Sequence, residues 1–344
     1  MAEPLLRVLQ SFRAPRPTTN PYLVQLRDSL AERAEVATFG WGSGLRGRYD
    51  VLHVHWPEVV VERGSRLRHW AACAAFAAVA WRASSGGRAL VRTVHNVEPH
   101  ERQDRATAAV TRWCDARTTW WIRLNDRTPV PDTRRASTVP HGDYAAWFAR
   151  YDREAAVPGR LVYAGLVRPY KGVEDLLDAF RDVPGDAELV VAGRPTTPAL
   201  EADLRARAGA DPRVLLDLRY VEDAALVRWV TSAELVVLPY RAMHNSGAAL
   251  LALSLGRPVL VPRNAVTDDL AAEVGARWVL RYDGDLDTSV LSDALDALRA
   301  APPHGAPDLA ARAWPVVAEG HLAAYRAALA VARGSRVPAR AAAS

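Results

Sequence analysis

Residues 161–180 read LVYAGLVRPYKGVEDLLDAF. An apolar, β-rich run ends at Gly165, a loop with two cations, Arg168 and Lys171, follows, and a helical pattern begins at Val173. A strand, a short loop and a helix in this order form the unit from which parallel, doubly wound α/β sheets are built. The two cations would lie beside the free amides of a helix N-terminus, which suits an anion such as a diphosphate. An ordinary basic loop is the alternative, although Lys171 is the only lysine in the chain.

The same alternation of apolar runs and helical patterns extends along the 344 residues. Strands are predicted at 5–11, 35–39, 51–55, 90–94, 122–125, 137–139, 160–164, 188–192, 214–218, 235–238, 258–261 and 277–280. Helices are predicted at 21–33, 66–83, 102–120, 173–180, 199–208, 223–232, 246–255, 267–274 and 308–332. Most of the strands are continuous apolar runs, as in parallel sheets covered on both faces. The predicted fold class is therefore α/β, with two doubly wound, Rossmann-like domains.

A polar segment, YDREAAVPG at 151–159, separates the two halves. We predict a first domain at 1–157, a second at 158–305, a C-terminal helical segment at 306–334 that returns to the first domain, and a solvated tail at 335–344. Open α/β sheets bind ligands in the crevice outside the carboxyl ends of their strands. Functional residues are therefore expected in the loops that follow the strands.

The composition excludes several classes of protein. Two cysteines, Cys73 and Cys114, can form neither a disulfide framework nor a paired zinc site. No basic segment followed by an apolar one stands near residue 1, so we predict no secretory signal and a cytoplasmic protein. The longest apolar run, Trp70–Trp81, is much shorter than the ~20 residues that a membrane-spanning helix needs.

Positive charge is concentrated in the first half of the chain. Residues 1–157 contain 23 basic and 16 acidic side chains, whereas the remainder contains 21 basic and 23 acidic ones. A positive half suits anionic lipid headgroups, a polyanionic substrate or nucleic acid. Because the sequence has no zinc-finger pattern, no ribonucleoprotein motif and no basic helix, we expect no nucleic-acid partner.

A second candidate phosphate loop lies in VVLPYRAMHNSGAALLALSLGRPVLVP, residues 236–262. Asn245 or Ser246 can cap the helix that follows, and Gly247 lets a ligand approach the backbone. The amides of residues 246–248 would then bind a second edge of the diphosphate. A helix cap without a ligand is the alternative.

Histidines and glutamates follow two strands of the first half, in YDVLHVHWPE (49–58) and LVRTVHNVEPHE (90–101). Because the carboxyl ends of parallel strands share one edge of the sheet, we expect most of these groups to line one cleft, with His53 turned inside. Such groups can act as general acids and bases. The candidates are His55, Glu58, His95, Glu98, His100 and Glu101.

No metal site is predicted. The histidine-rich segments contain neither HExxH nor a two-plus-two ligand spacing. The acidic run at Asp283, Asp285 and Asp287 could hold Mg²⁺, but Asp and Gly in this arrangement are typical of a turn, which is the interpretation we adopt. Fingerprints of dinucleotide enzymes, P-loop NTPases and nucleophile-elbow hydrolases are also missing from the sequence.

The segments YAGLVRPYKG and HNSGAALLALSLGRPVLVP resemble those of GT-B-fold glycosyltransferases similar to family 4, and the resemblance covers nearly the whole chain. It implies a sugar-nucleotide donor on the second domain and an acceptor on the first. By this resemblance Gly165, Arg168 and Lys171 contact the diphosphate, together with the backbone around Asn245, Ser246 and Gly247. The loop at Tyr220 and Val221 would receive the base.

The first-domain segments resemble those of bacterial enzymes that extend lipid-diphosphate-linked exopolysaccharide units, including β-mannosyltransferases that use GDP-mannose. A histidine in the position of His95 lies near donor sugar and acceptor in the wider group. The two glutamates typical of the family fall at Met243 and Leu251, and an expected arginine falls at Leu166. If the enzyme inverts, it needs a base, and His95, Glu58, Glu98 or Glu101 would supply it.

The sequence therefore predicts a cytoplasmic, metal-independent glycosyltransferase without a resident cofactor, with GDP-mannose favoured as donor, a UDP-sugar open, and a lipid-linked or glycan acceptor. The helix at 66–83, flanked by Arg63, Arg66, Arg68 and Arg82, is expected either to lie on the inner face of the membrane or to be an ordinary core helix. Two other functions remain open: a sugar-nucleotide 2-epimerase of the same fold, and a non-catalytic sugar-nucleotide-binding scaffold.

Overall fold

The computed structural model describes residues 5–95 and 103–335. Its strands are β1 Arg7–Gln10, β2 Glu35–Thr38, β3 Val51–Val54, β4 Ala89–Val94, β5 Trp120–Arg123, β6 Ala136–Thr138, β7 Arg160–Ala164, β8 Glu188–Ala192, β9 Val214–Asp217, β10 Leu235–Val237, β11 Val259–Pro262 and β12 Val279–Tyr282. Each predicted strand coincides with one of them, which confirms the predicted fold class.

The helices are α1 Pro21–Ala31, α2 Trp41–Arg46, α3 Pro57–Val61, α4 Arg66–Ala83, α5 Arg105–Arg117, α6 Ala145–Phe148, α7 Val173–Phe180, α8 Pro198–Ala208, α9 Asp223–Ser232, α10 Gly247–Ser254, α11 Ala265–Val274, α12 Thr288–Ala300 and α13 Trp314–Ala332. Short 3₁₀ turns occur at Thr133–Arg135, Pro169–Lys171 and Ala310–Arg312. The predicted helices do not include α2, α3, α6 and α12. Helix α12 was not predicted because its N-cap, Asp287, belongs to the acidic run that was interpreted as a turn.

The chain forms two compact units. The first contains residues up to Gly142 together with those from Ala311 onward, and the second is Asp143–Ala310. The boundary therefore lies before the predicted one at residue 157. Residues 143–157 pack with the second unit, because the Tyr144 amide donates to Ser254 Oγ at 2.9 Å and Phe148 is buried in that core.

The first unit is built on a six-stranded parallel sheet in the order β2-β1-β3-β4-β5-β6. One face, with Val8, Val51 and Val91, is covered by α1 and α13, so the last helix of the chain completes the first core. The alternate residues Leu9, Leu52 and Leu90 face a second cluster that includes α4 and α5. Both faces are thus covered, as the continuous apolar strands require.

The second unit has a six-stranded parallel sheet in the order β12-β11-β10-β7-β8-β9. Counted from β7, this is the 3-2-1-4-5-6 order of dinucleotide-binding folds. The direction of winding reverses between β7 and β10, which are neighbours through Leu235 and Leu161. A ligand crevice is expected where the loops after these two strands meet.

Helix α4 has one face in the core and another exposed. Phe76, Val79 and Ala80 are fully buried, whereas Leu67 is 85%, Trp70 57% and Trp81 59% exposed. The exposed face also carries Ala71, Ala74 and Ala78, so it is apolar from Trp70 to Trp81. Among the described residues, no helix is long and apolar enough to cross a membrane.

Candidate active site

The two predicted phosphate loops meet at the switch point of the second sheet. The loop after β7 contains the 3₁₀ turn Pro169–Lys171, and the loop after β10 begins at Leu238. The Arg241 amide donates to the Tyr170 carbonyl at 3.0 Å and joins the two loops. The Arg241 guanidinium also binds both oxygens of Asp175 on α7, each at 3.0 Å. The ion pair neutralises Asp175, which lies in the first turn of α7. An unpaired carboxylate there would repel a bound anion.

Glycine is required at three positions of this crevice. Gly172 has φ +63°, and a Cβ there would collide with the Pro239 carbonyl oxygen. Gly165 has φ +132°. A Cβ on Gly193 would collide with the carbonyl oxygen of Gly165. Since side-chain-bearing residues rarely adopt such angles, these glycines allow the loops after β7, β8 and β10 to approach one another closely.

Lys171 is held in place by an aromatic ring. Its Nζ donates to the Tyr240 hydroxyl at 3.2 Å and lies 4.8 Å from the ring centroid. Burial lowers the pKa of Lys171, and the charge of Arg168 acts in the same direction. A diphosphate would supply the negative charge that these two cations favour.

The second phosphate loop ends in a capped helix. Ser246 is the N-cap of α10 and its Oγ accepts a hydrogen bond from the Ala249 amide at 3.2 Å. Ser246 also acts on Tyr240, the residue that holds Lys171: it lowers the pKa of the Tyr240 phenol, against the larger effect of burial, which raises it. The first-turn amides of α10 therefore stand in the same cluster as Lys171, and Asn245 and Gly247 flank the cap. The structure confirms the predicted cap, and the anion site stays a prediction.

The predicted base loop lies farther along the same edge. Tyr220, which is 56% exposed, and Val221 follow β9. Strand β9 is two strands from β7 in the sheet, a distance of about 10 Å at the usual strand spacing. That distance suits a nucleotide whose diphosphate lies at β7 and whose base lies at β9.

A connected group of buried polar side chains occupies the switch point of the first sheet, where β1 and β3 are neighbours. His55 Nε2 is 3.0 Å from Gln10 Oε1, and His55 Nδ1 is 3.1 Å from His95 Nε2. His53 Nδ1 is 2.7 Å from the Tyr325 hydroxyl, and His53 Nε2 is 2.7 Å from Thr93 Oγ1. Gln10 Nε2 donates to the Tyr325 hydroxyl at 3.4 Å, which closes the chain of contacts.

His95 is fixed in orientation by two further rings. The Trp56 indole stacks on it with centroids 4.0 Å apart, and Tyr22 meets it edge-on at 5.4 Å. His53 is fully buried, as predicted. His55 is only 3% exposed, so the prediction that His55 lines an open cleft is wrong. The reason is α13, which covers this face of the sheet with Tyr325 and His321.

Burial keeps these histidines neutral. It lowers the pKa of His55 to about 3 and those of His141 and His321 to about 4. The pKa values of His53 and His95 are also well below the usual range, because both rings are buried and their neighbours are histidines. Each ring therefore carries one proton at neutral pH and has one donor and one acceptor nitrogen.

The remaining candidates divide into two groups. Glu58 lies in the first turn of α3 and is half-buried; its charge raises the pKa of Arg92, opposing the larger effect of burial. Glu98, His100 and Glu101 lie outside the described residues.

The acidic run in the second unit is used structurally. Asp287 accepts from the Val290 amide at the start of α12, Gly284 has φ +74°, and Asp283 pairs with Arg263 at 3.2 Å. These are the features of a turn and a helix cap. Across residues 5–95 and 103–335, no cluster of three or more His, Cys, Asp or Glu side chains could hold a metal ion.

Sequence reasoning missed the partners that arrive from distant segments. Gln10, Thr93, Tyr325 and His321 were not among the candidates. The one available signal was the spacing of His321 and Tyr325, which places both on one face of a helix. Nothing in the sequence connects that face to His53.

Comparison with known proteins decides the family. Residues 158–293 match the family of group 1 glycosyl transferases. A GDP-mannose:glycolipid 4-beta-D-mannosyltransferase of Xanthomonas campestris pv. campestris is 44% identical over 331 residues, which are 95% of this chain and 94% of that enzyme. The chain belongs to the group 1 glycosyltransferases. Identity at this level over nearly the whole length makes it an enzyme that transfers sugars, not an epimerase or a scaffold.

Solved structures identify the fold of this glycosyltransferase as GT-B. The Anabaena protein HepE in complex with UDP has a TM-score of 0.58 at 14% identity, over 96% of this chain and 98% of that one. AviGT4, a glycosyltransferase of avilamycin A biosynthesis, has a TM-score of 0.57 at 20% identity, over 95% and 98%.

Because the histidines are buried and neutral, we predict that acid lowers the unfolding free energy of the glycosyltransferase. Between the usual histidine pKa of 6.5 and the value of about 4 for His321, the unfolded chain binds a proton that the folded chain does not. Stability present above this window is therefore lost as the pH falls through it, by about 1.4 kcal/mol per pH unit for one histidine. His321, which faces His53 and Tyr325, contributes one such proton.

We expect His321→Leu to reduce the pH dependence of the unfolding free energy by about one proton, measured by urea denaturation between about pH 5 and pH 7. His304→Leu, at an exposed position, is the control and should behave like the parent. An unchanged pH dependence in His321→Leu would contradict the assignment of a buried, neutral ring.

Proposed function

We propose that this glycosyltransferase moves mannose from GDP-mannose to a glycolipid and forms a β-glycosidic bond. The observation that carries the proposal is the 44% identity, over 95% of the chain, to an enzyme of that name. The second unit would bind the donor and the first the acceptor. The proposal extends to the individual residues described above.

The donor's diphosphate is assigned to the crevice between the loops after β7 and β10. Arg168 offers a planar guanidinium and Lys171 a point charge held by Tyr240, while the first-turn amides of α10 face the same ligand. As the bond to the sugar breaks, negative charge grows on the departing GDP. Cations that are already in place stabilise that charge without having to reorganise.

The acceptor hydroxyl requires a base. GDP-mannose is an α-glycoside, so a β-linked product means inversion at the anomeric carbon in a single displacement. The acceptor oxygen attacks this carbon, the bond to the diphosphate breaks with its electron pair going to GDP, and the hydroxyl proton passes to the base. We assign this role to His95, with Glu58, Glu98, His100 and Glu101 as further candidates.

Apolar residues at the two glutamate positions support this mechanism. Met243 is buried in the core of the second unit, and Leu251 packs against it from α10. Neither can stabilise a sugar hydroxyl by accepting a hydrogen bond, so the donor sugar would meet no carboxylate at these two positions. We further propose that no metal is needed, since Arg168 and Lys171 would supply the charge that Mg²⁺ supplies elsewhere.

The test is mannose transfer from radiolabelled GDP-mannose to a synthetic lipid-diphosphate-linked oligosaccharide, with and without EDTA. We expect a β-linked product by NMR, equal rates in both arms, and a rise in melting temperature with GDP greater than with UDP or dTDP. A ligand at about 100 times its Kd adds ~2.7 kcal/mol to the folding free energy. Transfer from a UDP-sugar alone, or an α-linked product, would refute the proposal.

Lys171→Met tests the diphosphate assignment. The variant keeps the apolar stem but removes the charge, so we expect kcat/KM to fall about 100-fold, equivalent to ~2.7 kcal/mol, from the loss of one charge-assisted contact in the transition state. The ligand-free protein should melt no lower than the parent, because burial disfavours this charge. Arg205→Met, which removes an exposed charge from α8, is the control. A Lys171→Met enzyme as active as Arg205→Met would refute the assignment.

We also propose that the exposed face of α4 lies on an anionic membrane surface, where a glycolipid acceptor would be presented. Leu67, Trp70 and Trp81 would enter the interface, and the exposed Arg66 and Arg68 would meet the headgroups. Arg82 does not belong to this surface. Its guanidinium binds the carbonyls of Gly44 and Gly47.

Replacing Leu67 and Trp70 by serine should weaken binding to vesicles of phosphatidylcholine and phosphatidylglycerol by at least about tenfold, given ~1.5–3 kcal/mol per buried apolar side chain. Flotation on a density gradient measures this. The paired change Leu215→Ser and Val316→Ser, at exposed positions elsewhere, is the control. Equal flotation of the two variants would exclude α4 as the contact surface.

A further inference from the structure

An unbroken chain of hydrogen bonds connects the proposed base with the last helix of the protein. It runs from His95 through His55, Gln10, Tyr325 and His53 to Thr93. Five of these side chains are at most 3% exposed, and His95, at 8%, is the most exposed member. The hydrogen-bond chain thus has one end, His95, near solvent at the carboxyl end of β4. Its other members are enclosed by α13.

The protons along this chain can be assigned from chemistry. Both nitrogens of His53 are 2.7 Å from a hydroxyl, and a neutral ring carries one proton, so one hydroxyl donates and the other accepts. The phenol of Tyr325 is the stronger acid, so it donates to His53 Nδ1, and His53 Nε2 donates to Thr93.

With its proton committed to His53, the Tyr325 oxygen can only accept. It therefore takes a hydrogen bond from the amide NH₂ of Gln10, which turns Gln10 Oε1 toward His55. His55 Nε2 must then carry the proton of its ring, and its Nδ1 accepts. The ring of His95 consequently carries its proton on Nε2, donated to His55.

We propose that Tyr325 and Gln10 are positioning residues that hold His95 in the Nε2-protonated tautomer, so that Nδ1 is the nitrogen that takes the acceptor's proton. The proposal rests on the proposed role of His95 as base. In the reaction the proton of the acceptor hydroxyl is transferred to Nδ1 while the hydroxyl oxygen bonds to the anomeric carbon and the bond from that carbon to the diphosphate breaks, its electron pair going to GDP. The imidazolium that forms keeps its Nε2 proton donated to the neutral His55, which stabilises the new charge. The opposite tautomer would present an N–H at Nδ1 and could not accept.

Tyr325 determines which groups donate and which accept along the whole chain of hydrogen bonds. Without its hydroxyl, the Gln10 amide can rotate by half a turn and donate to His55 Nε2. His55 then carries its proton on Nδ1, and His95 on Nδ1 as well. The rotated amide is favoured in that case, because a buried carbonyl without a partner costs less than a buried N–H without one.

The test compares Tyr325→Phe with Tyr49→Phe. Both remove one buried hydroxyl from the first unit, and the Tyr49 hydroxyl donates to the Gly44 carbonyl, outside the histidine chain. We expect Tyr325→Phe to lower kcat about tenfold with the KM for GDP-mannose within about twofold of the parent, since the donor crevice is untouched. Tyr49→Phe should keep the parent's kcat.

Nitrogen NMR of protein labelled at its nine histidines reads the tautomer directly, with His95→Gln used to assign the signal. The parent should show His95 protonated at Nε2, and Tyr325→Phe should shift it mainly to Nδ1. Three results would overturn the proposal: Nδ1 protonation in the parent, an unchanged kcat in Tyr325→Phe, or a loss of kcat without the change of tautomer. If the parent does not transfer mannose, the proposed function fails, and the NMR result alone decides whether Tyr325 sets the tautomer.

Discussion

The first unit depends on the burial of histidines that must remain neutral. A protonated imidazole between β3 and α13 would lack both solvent and a counter-charge, so the fold tolerates these rings only while each has one donor and one acceptor. That restriction makes the hydrogen-bond chain directional. His53 accepts from Tyr325, Gln10 is turned by the same phenol, and the tautomer of His95 follows. A requirement of stability thus determines the chemical state of the group beside the proposed reaction.

Sheet topology explains why both proposed sites lie at the carboxyl edge of a sheet. In each unit the winding reverses once, and the crevice at that reversal is flanked by strands whose carboxyl ends point the same way. In the second unit this brings Lys171 beside Tyr240 and the amide end of α10. In the first it brings Gln10 beside His53, which are opposite each other in the β1–β3 register. The same architectural rule therefore positions the proposed anion site in one unit and the proposed proton-accepting site in the other.

The sequence was sufficient for the fold because buried parallel strands are continuous apolar runs, and most of the twelve strands are visible as such. The location of Arg168, Lys171 and Ser246 was predictable for a related reason. In repeated strand–loop–helix units, the loops after neighbouring strands lie at one edge of the sheet. Contacts between distant segments were not predictable. Tyr325 meets His53 only because α13 returns to the first sheet, and His55 is enclosed rather than exposed for the same reason.

The return of α13 also bears on where an inverting mechanism can find its base. With Met243 and Leu251 in place of carboxylates, the proposed donor crevice offers cations and amides, groups that would bind the donor and stabilise its leaving group but accept no proton. Under the proposed function the acceptor lies on the first unit, and so does the base proposed for its hydroxyl proton. A proton acceptor needs an unprotonated nitrogen, which a neutral imidazole has and an imidazolium lacks. A ring kept neutral by burial, with its accepting nitrogen set by Tyr325, meets that condition.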